Sequence, residues 1–280
     1  MKIAVLMTCY NRRELTLRCL HSLFACELPK GCELNVYLND DGSIDGTGDA
    51  VKSTFRDVRV LKGTGSDYWC GGMRRAWNAA LADGEKFDYF LWANDDVVFL
   101  PCALKELLSV AGREDASPLG LVCGVLCDPV SGELTYGGRD EKRLLKPNGK
   151  VQQCRYVHGN AVLVPWGTYE KIGIFDKRWT HGLGDTDYGL CCIEAGLRCV
   201  VTTRYIGTCE QHRIRAPWFS CEVPFRTRFS LMFRPVGGNF REYVVFRRKH
   251  YPVRWIFDAM KFAIQVVFPR PFSWYSSMRK

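Results

Sequence analysis

The chain has 280 residues and a mass of 32.0 kDa, enough for one sizeable domain or two small ones. Hydrophobic residues make up 47% and charged residues 25%, which excludes a wholly disordered chain. The net charge of +9 is concentrated near the C-terminus, because residues 201–280 hold 15 Lys or Arg and only 4 Asp or Glu. No apolar run approaches the roughly 20 residues of a membrane-spanning helix. Five apolar residues before Thr8 are also too few for a signal peptide.

The 14 cysteines favour reduced thiols over a disulfide framework. Many stand within apolar patterns, where a thiol behaves as a small hydrophobic side chain. The sequence contains no C-x-x-C pair, so it gives no indication of a zinc ribbon or a redox motif. We therefore expect a reducing, cytoplasmic location.

Short apolar runs alternate with amphipathic segments over the first hundred residues. In chain order the predicted elements are strand Ile3–Met7, a helix capped by Asn11, strand Leu34–Leu38, a helix from Gly46, strand Val58–Leu61, a Gly-rich loop over 63–72, helix Met73–Leu81 and strand Tyr89–Ala93. This alternation predicts an α/β fold with a mostly parallel sheet flanked by helices. Ligands of such sheets bind at the carboxyl ends of the strands.

The pattern changes over residues 119–164, where short apolar runs separated by turn residues predict a small antiparallel insertion. Helices near 168–172 and 185–195 complete the main domain, for which we expect the bounds 1–223. Residues 224–280 are basic and aromatic and predict a helical tail appended to that domain.

Three polar clusters follow predicted strands or begin a helix. Asp40 and Asp41 stand in a turn-rich loop, where an Asp either binds a nucleotide base or makes local turns. Asp95 and Asp96 follow an apolar strand without a cationic residue close in sequence, so they indicate either a divalent metal site or a helix cap. Asp185 opens a helix, where it is either an N-cap or a base that stays ionised.

Together, in chain order, the motifs resemble those of family 2 glycosyltransferases of the GT-A fold over about residues 1–212. The matching segments are Thr8-Cys9-Tyr10-Asn11-Arg12, Asp40-Asp41-Gly42-Ser43, Asp45-Gly46-Thr47, Gly71-Gly72-Met73-Arg74-Arg75-Ala76 with Asn78, Asn94-Asp95-Asp96, Gly159-Asn160, Gly173-Ile174-Phe175-Asp176 and Gly184-Asp185-Thr186-Asp187-Tyr188. The resemblance is greatest to bacterial rhamnosyl- and galactofuranosyl-transferases of surface polysaccharide synthesis, such as that of O-antigen.

The resemblance implies roles for individual residues. The base, ribose and diphosphate of the donor would contact Thr8, Tyr10, Asn11, Asp40, Asp41, Gly72, Arg74 and Asn94. A Mg²⁺ or Mn²⁺ ion would be held by Asp95 and Asp96, at the place of the family's D-x-D motif, and by His212. Asp185 would be the catalytic base. Residues 1–100 would form the nucleotide-binding half of the domain and residues 101–223 the acceptor-binding half.

The implied reaction is an inverting transfer of a sugar from a UDP- or dTDP-sugar to a glycan acceptor, expected to be lipid-linked. A carboxylate base and a metal ion suit this chemistry, since one accepts the acceptor's proton and the other offsets charge on the leaving diphosphate. Ala93 replaces the first acid of the usual D-x-D motif, and Gly184 replaces a Glu that usually precedes the base. The Q-x-x-R-W signature of processive relatives is absent, which predicts a non-processive enzyme.

Other readings of the residues remain open. A nucleotidyltransferase would carry a Gly-rich loop directly after the first strand, and the chain has none there. The basic tail suggests nucleic-acid binding, but no recognition-helix, zinc or RNA-binding signature accompanies it, so we expect no nucleic-acid partner. The departures at Ala93 and Gly184 keep open a catalytically inactive module that binds a nucleotide or glycan.

The tail contains a helix-forming segment, Trp255–Phe268, whose polar residues are only Asp258, Lys261 and Gln265. This segment is too short to span a bilayer. Flanking cations and aromatic residues predict that it binds an anionic membrane surface, at the inner face of the plasma membrane. Packing of the segment on the main domain is the alternative.

Overall fold

The computed structural model describes residues 1–113, 117–211 and 216–269. Its contacts group the chain into two units. The larger unit comprises Met1–Lys177 and Gly184–Gln211, and the smaller unit comprises Arg178–Leu183 and His212–Lys280.

The larger unit is built on one ten-stranded sheet. Its strands are β1 (Lys2–Cys9), β2 (Glu33–Asp40), β3 (Val58–Lys62), β4 (Tyr89–Ala93), β5 (Val98–Phe99), β6 (Leu119–Cys127), β7 (Leu134–Tyr136), β8 (Gln152–Gln153), β9 (Ala161–Pro165) and β10 (Arg198–Thr208). The main path runs β3-β2-β1-β4-β9-β6-β10-β5, with β7 on β6 and β8 on β10. Strands β3, β2, β1 and β4 are mutually parallel, as are β6 and β10, and β9 lies antiparallel between β4 and β6. The α/β fold with a partly antiparallel sheet is confirmed.

Six helices accompany the sheet in the described part of the larger unit. They are α1 (Arg13–Phe24), α2 (Thr47–Thr54), α3 (Tyr68–Ala82), α4 (Ala103–Ala111), α5 (Trp166–Ile172) and α6 (Gly184–Glu194). Alternate residues of a strand face opposite sides of a sheet. Accordingly Ile3 and Val5 of β1 pack in a core cluster with α1, whereas Ala4 and Leu6 pack with α3. Continuous apolar strands therefore belong to a sheet covered on both faces.

The structure corrects three details that were predicted from the sequence. Asn11 does not cap α1, because the helix begins at Arg13 without a side-chain cap. Asn11 instead has a φ of 51° and binds the neighbouring loop, accepting from the Ile44 amide at 2.8 Å. Helix α3 begins at Tyr68, inside the segment predicted as a glycine-rich loop. The 119–164 segment, predicted as a small antiparallel insertion, contributes β6 and β9 to the main sheet, where they are two of the inner strands.

The smaller unit is helical, with α7 (Phe225–Met232), α8 (Phe240–His250) and α9 (Trp255–Val267) after a short 3-10 turn at Pro217–Phe219. Its interior is formed by Met232, Phe262 and Val266, with aromatic rings around them. In the described part of the chain, no helix is both long enough and apolar enough to cross a membrane.

The fit of α3 on the sheet generates a stability prediction. A Cβ at Gly72 would lie 2.1 Å from Thr8 Oγ1 and 2.9 Å from Asn39 Nδ2, so Gly72→Ala overpacks this contact. We expect the free energy of unfolding to fall by about 1–3 kcal/mol. Gly167 is the matched control, because it is also helical but has open space around its Cβ position.

Gly167→Ala should leave the free energy of unfolding unchanged or raise it by up to about 1 kcal/mol, through helix propensity. Urea denaturation of both variants measures the difference. Equal stability of the two variants would mean that α3 moves away from β1 at no cost.

Candidate active site at the carboxyl end of the sheet

The predicted polar clusters meet at one edge of the sheet. Strand β1 lies between β2 and β4, and its last residue, Cys9, pairs with Asp40 at the end of β2. Because the three strands are parallel, the residues that follow them emerge together. The structure thus brings the segments that begin at Tyr10, Asp41 and Asn94 to one place.

Asp41 organises the loop that leads into α3. Its Oδ1 accepts hydrogen bonds from the amides of Gly65 at 2.8 Å and Asp67 at 3.1 Å, and its Oδ2 accepts from Tyr68 at 2.9 Å. The side chain is buried. Asp41 therefore holds the residues at the start of α3 in place, a role that loop composition alone did not distinguish from ligand binding.

Asp40 is the last residue of β2 and is half-buried. Its Oδ1 accepts from the Ser43 amide at 2.9 Å, and Gly48 lies so close that a Cβ there would be 2.3 Å from Oδ2. Nearby, the Asn11 amide donates to Ser43 Oγ at 2.9 Å. Tyr10, next to this loop, is 55% exposed, so its ring is accessible to a ligand.

Thr8 and Gly72 form the floor of this edge. Thr8 Oγ1 donates to the Asn39 carbonyl oxygen at 3.2 Å, and the absence of a side chain at Gly72 lets α3 lie against it. Farther along α3, Arg74 donates through Nη1 to the Asp176 carbonyl oxygen at 3.0 Å. Arg74 is half-buried, and its hydrogen bond to Asp176 connects α3 with the segment after α5.

The acid pair after β4 has a cationic partner that is distant in sequence. Arg12 Nη1 lies 3.1 Å from Asp95 Oδ1 and 2.9 Å from Asp96 Oδ2. No cationic residue lies close to the pair in sequence, and the contact with Arg12 arises only in the folded chain. Cys209 Sγ also lies 3.6 Å from Asp96 Oδ1. The parallel neighbours β1 and β4 bring Arg12 to the pair across 83 residues of chain.

Burial raises the pKa of Asp95 to about 7, with Arg12 acting in the opposite direction and Asp96 adding to the increase. Its Oδ2 is buried and has no hydrogen-bond partner in the described part of the chain. A buried carboxylate oxygen without a donor is costly, and a cation is one way to satisfy it.

The donor set at this position fits a hard divalent cation. Two carboxylates after a strand match the usual ligation of Mg²⁺ or Mn²⁺, which keeps other positions for phosphate oxygens and water. Asp95 and Asp96 are adjacent, and one oxygen of the pair is unsatisfied. His212, the third predicted ligand, lies outside the described residues.

Asp185 stands in the first turn of α6 and is half-buried. Its Oδ2 accepts from the Gly159 amide at 2.8 Å and its Oδ1 from the Thr186 amide at 2.7 Å. The preceding residue is Gly184, where a Cβ would lie 2.5 Å from Cys70 Sγ on α3. The contact with Cys70 leaves no room for a Glu at position 184.

Two residues that the sequence analysis did not select connect these parts. Trp69 donates through Nε1 to Asn94 Oδ1 at 2.8 Å. Its ring packs against Gly159, where a Cβ would lie only 2.6 Å from the ring. His158 precedes Gly159, and burial lowers its pKa while the charge of Asp185 acts in the opposite direction. The signal for Trp69 was an aromatic residue within a glycine-rich segment, whereas nothing local indicated His158.

Asn94, Trp69, Gly159 and Asp185 therefore form one continuous set of contacts. Asn94 directly precedes the acid pair, and its backbone N–H donates to the backbone carbonyl oxygen of Asn160 at 2.9 Å. One set of side-chain and backbone contacts thus connects the residue before the acid pair with the Asp185 carboxylate. An arrangement of this kind can place a cation and a carboxylate around a bound ligand.

Comparisons with known proteins identify the family and the fold of the chain. A sequence model described as "Glycosyl transferase family 2" matches residues 4–161. An uncharacterized glycosyltransferase of Rickettsia prowazekii (strain Madrid E) is 27% identical over 118 residues, which are 40% of this chain and 36% of the relative. The chain therefore matches about a third of the length of this curated relative.

A mannosyltransferase from Pyrobaculum calidifontis, solved in complex with GDP-Man and Mn²⁺, has a TM-score of 0.57 to this chain at 18% identity. The similarity covers 78% of this chain and 59% of the mannosyltransferase chain, and at this identity it shows the fold alone. The family match, in contrast, spans more than half of the sequence. The chain belongs to glycosyl transferase family 2 and has a GT-A-type fold.

Proposed function

We propose that the protein transfers a sugar from a nucleotide-sugar donor to a glycan acceptor, with inversion and without processivity. The observation that carries this proposal is the contact set from the acid pair through Asn94, Trp69 and Gly159 to Asp185. It holds a candidate metal site and a carboxylate at the edge of the sheet where parallel folds bind ligands. Membership in a family of glycosyltransferases supports the same reaction.

The donor binds, in this proposal, along the carboxyl ends of β1, β2 and β4. The exposed ring of Tyr10 lies beside the base, with Asn11 and Asp40 in the adjoining loop. Thr8, Asp41 and Gly72 shape the floor, Arg74 attracts the diphosphate, and Asn94 lies beside the acid pair. The donor is a UDP- or dTDP-sugar.

Asp95 and Asp96 would hold Mg²⁺ or Mn²⁺, with His212 as a further ligand. A divalent cation there supplies positive charge that stabilises the leaving nucleoside diphosphate. The structurally similar mannosyltransferase was solved with Mn²⁺ and GDP-Man, which supports a divalent metal as part of the proposal. The Arg12 guanidinium already neutralises part of the acid pair's charge, which lowers the cost of burying the pair before a ligand arrives.

Asp185 acts as the general base. Its two amide contacts fix the orientation of the carboxylate and use two of about four lone-pair positions, which leaves acceptor capacity for a hydroxyl proton. The acceptor hydroxyl gives its proton to Asp185 as its oxygen attacks the anomeric carbon, and the bond from that carbon to the diphosphate breaks, so that the nucleoside diphosphate leaves. The proton therefore moves away from the reacting oxygen, and no covalent enzyme intermediate forms.

The resemblance to bacterial transferases of surface polysaccharide synthesis also supports a domain organisation and a biological setting. Residues 1–223 form the catalytic domain, with the donor bound by 1–100 and the acceptor by 101–223, and 224–280 form the tail. The acceptor is a lipid-linked glycan of a bacterial surface polysaccharide, and the enzyme acts at the cytoplasmic face of the plasma membrane.

Asp185→Asn tests the base. The amide keeps the size of the side chain but cannot take the proton, so turnover should fall by roughly 10²–10⁴-fold. Binding of UDP or dTDP, measured by calorimetry, should not change. Glu194→Gln on the exposed side of the same helix is the matched control and should retain full turnover. Near-normal transfer by Asp185→Asn would remove Asp185 from this role, and loss of transfer by both variants would indicate damage to α6.

Metal dependence has a separate test. EDTA should abolish transfer, and added Mn²⁺ or Mg²⁺ should restore it. Asp96→Asn should weaken Mn²⁺ binding in the presence of UDP by at least about tenfold, measured by electron paramagnetic resonance. The control Asp57→Asn removes an exposed acid elsewhere in the larger unit and should bind Mn²⁺ normally. Full transfer in EDTA would contradict a metal requirement while leaving the base assignment intact.

The ion pairs of Arg12 generate a further prediction, because Arg12 binds the same carboxylates that would bind the metal. Arg12→Gln removes a positive charge about 3 Å from both acids, so Mn²⁺ alone should bind about three- to tenfold more tightly. Arg13→Gln, at an exposed neighbouring position, should leave the affinity unchanged. Weaker Mn²⁺ binding by Arg12→Gln would show instead that Arg12 holds the acids in ligand geometry.

A further inference from the structure

Helix α9 of the smaller unit exposes a face of large apolar side chains, which is unfavourable for a helix in water. Its buried residues are Asp258, Phe262 and Val266, which recur at every fourth position. Large apolar side chains instead cover the opposite, exposed face: Ile256, Phe257, Met260, Ile264 and Val267, continued by Phe268. Phe257 is 66% exposed and Met260 58%. A contiguous exposed apolar surface of this kind indicates a contact with another phase or molecule.

Side-chain contacts fix this orientation of α9. Asp258 turns inward because Arg247 on α8 pairs with its carboxylate. At the other end of α9, Arg228 on α7 donates through Nε to the Val266 carbonyl oxygen at 2.8 Å and through Nη2 to Val267. Rotation of α9 that buried its apolar face would break both contacts and leave buried charges unpaired.

Helix α7 adds a second exposed apolar row to the same unit. Phe225 and Phe229 have ring centroids 5.9 Å apart, and Phe229 and Phe233 have centroids 5.4 Å apart. All three rings are at least 41% exposed. The smaller unit therefore presents large apolar side chains on two of its three described helices.

The charge around these residues is strongly positive. Residues 216–269 contain nine Lys or Arg and three Asp or Glu. Two of the three acids are engaged internally, since Asp258 pairs with Arg247 and Glu242 accepts from Thr180 Oγ1 at 2.7 Å. Exposed cations flank the apolar faces directly, with Arg226 next to Phe225 on α7 and Lys261 next to Met260 on α9.

We infer that α9 and α7 dock the protein on an anionic lipid surface. Apolar side chains enter the boundary between headgroups and acyl chains, and cations remain at the phosphates. At 13 residues, α9 is too short to span a bilayer and suits a position parallel to its surface. A second copy of the chain is a poorer occupant, because a symmetric contact would bring the same cations together. The inference concerns helices of the smaller unit alone and does not rest on the proposed transfer.

The test uses the full chain and sedimentation with vesicles of phosphatidylcholine alone or mixed equally with phosphatidylglycerol. The wild type should bind the anionic vesicles and remain in the supernatant with the neutral ones. Phe257→Ser with Ile264→Ser should reduce the partition coefficient at least tenfold. Arg226→Gln with Lys261→Gln should reduce it by about 25-fold, since each cation near an anionic leaflet contributes about fivefold.

The matched control is Leu28→Ser with Val130→Ser, which removes two exposed apolar side chains from the larger unit. It should bind the vesicles like the wild type, and all variants should keep the wild-type melting temperature and nucleotide affinity. A wild type that stays in the supernatant at low salt, or binds both vesicle types equally, would overturn the inference. A dimer that Phe257→Ser with Ile264→Ser dissociates would assign the face to a second copy instead.

Discussion

The close approach of α3 to the ends of β1 and β2 is the constraint on which the candidate site depends. Gly72 places the helix backbone against Thr8 and Asn39, at a distance that no side chain permits. The carboxylate of Asp41 fixes the start of the same helix through three backbone amides. Once α3 is held there, Trp69 reaches Asn94, Cys70 fills the space beside Gly184, and Arg74 reaches the Asp176 carbonyl oxygen. One helix thus positions groups on both sides of the proposed reaction centre.

Electrostatics at the end of β4 follow from burying two adjacent carboxylates. Such a pair is unfavourable without compensation, because burial disfavours charge and the two acids repel each other. Arg12 supplies one positive charge to both acids, while burial and the charge of Asp96 act in the opposite direction and raise the pKa of Asp95. Among the residues that the structure describes, none donates a hydrogen bond to Asp95 Oδ2, which agrees with a shortage of positive charge at this position. A site that is folded but short of positive charge is suited to bind a cation together with a phosphorylated ligand.

The smaller unit is organised by a different balance. Its buried ion pair, Arg247 with Asp258, and the hydrogen bonds from Arg228 turn the polar side of α9 inward. The remaining apolar side chains must then face outward, since a helix cannot bury both sides against so small a core. Aromatic rings inside the unit, including Phe240, Tyr243 and Phe262, complete its packing. Specific polar contacts therefore produce the exposed apolar surface.

The sequence alone determined the alternating strands and helices, the acids at strand ends and the family resemblance, which the family match confirms. These features are local: an apolar run of five to eight residues specifies a buried strand, and a polar cluster after it marks the ligand-binding edge. The roles of the predicted site residues remain proposals. Only the tertiary structure joined Arg12 to Asp95, Trp69 to Asn94 and Asp185 to Gly159, because each contact depends on which strands become neighbours. The tertiary structure likewise decided which face of α9 is covered, since periodicity groups the residues of one face but does not specify what packs against them.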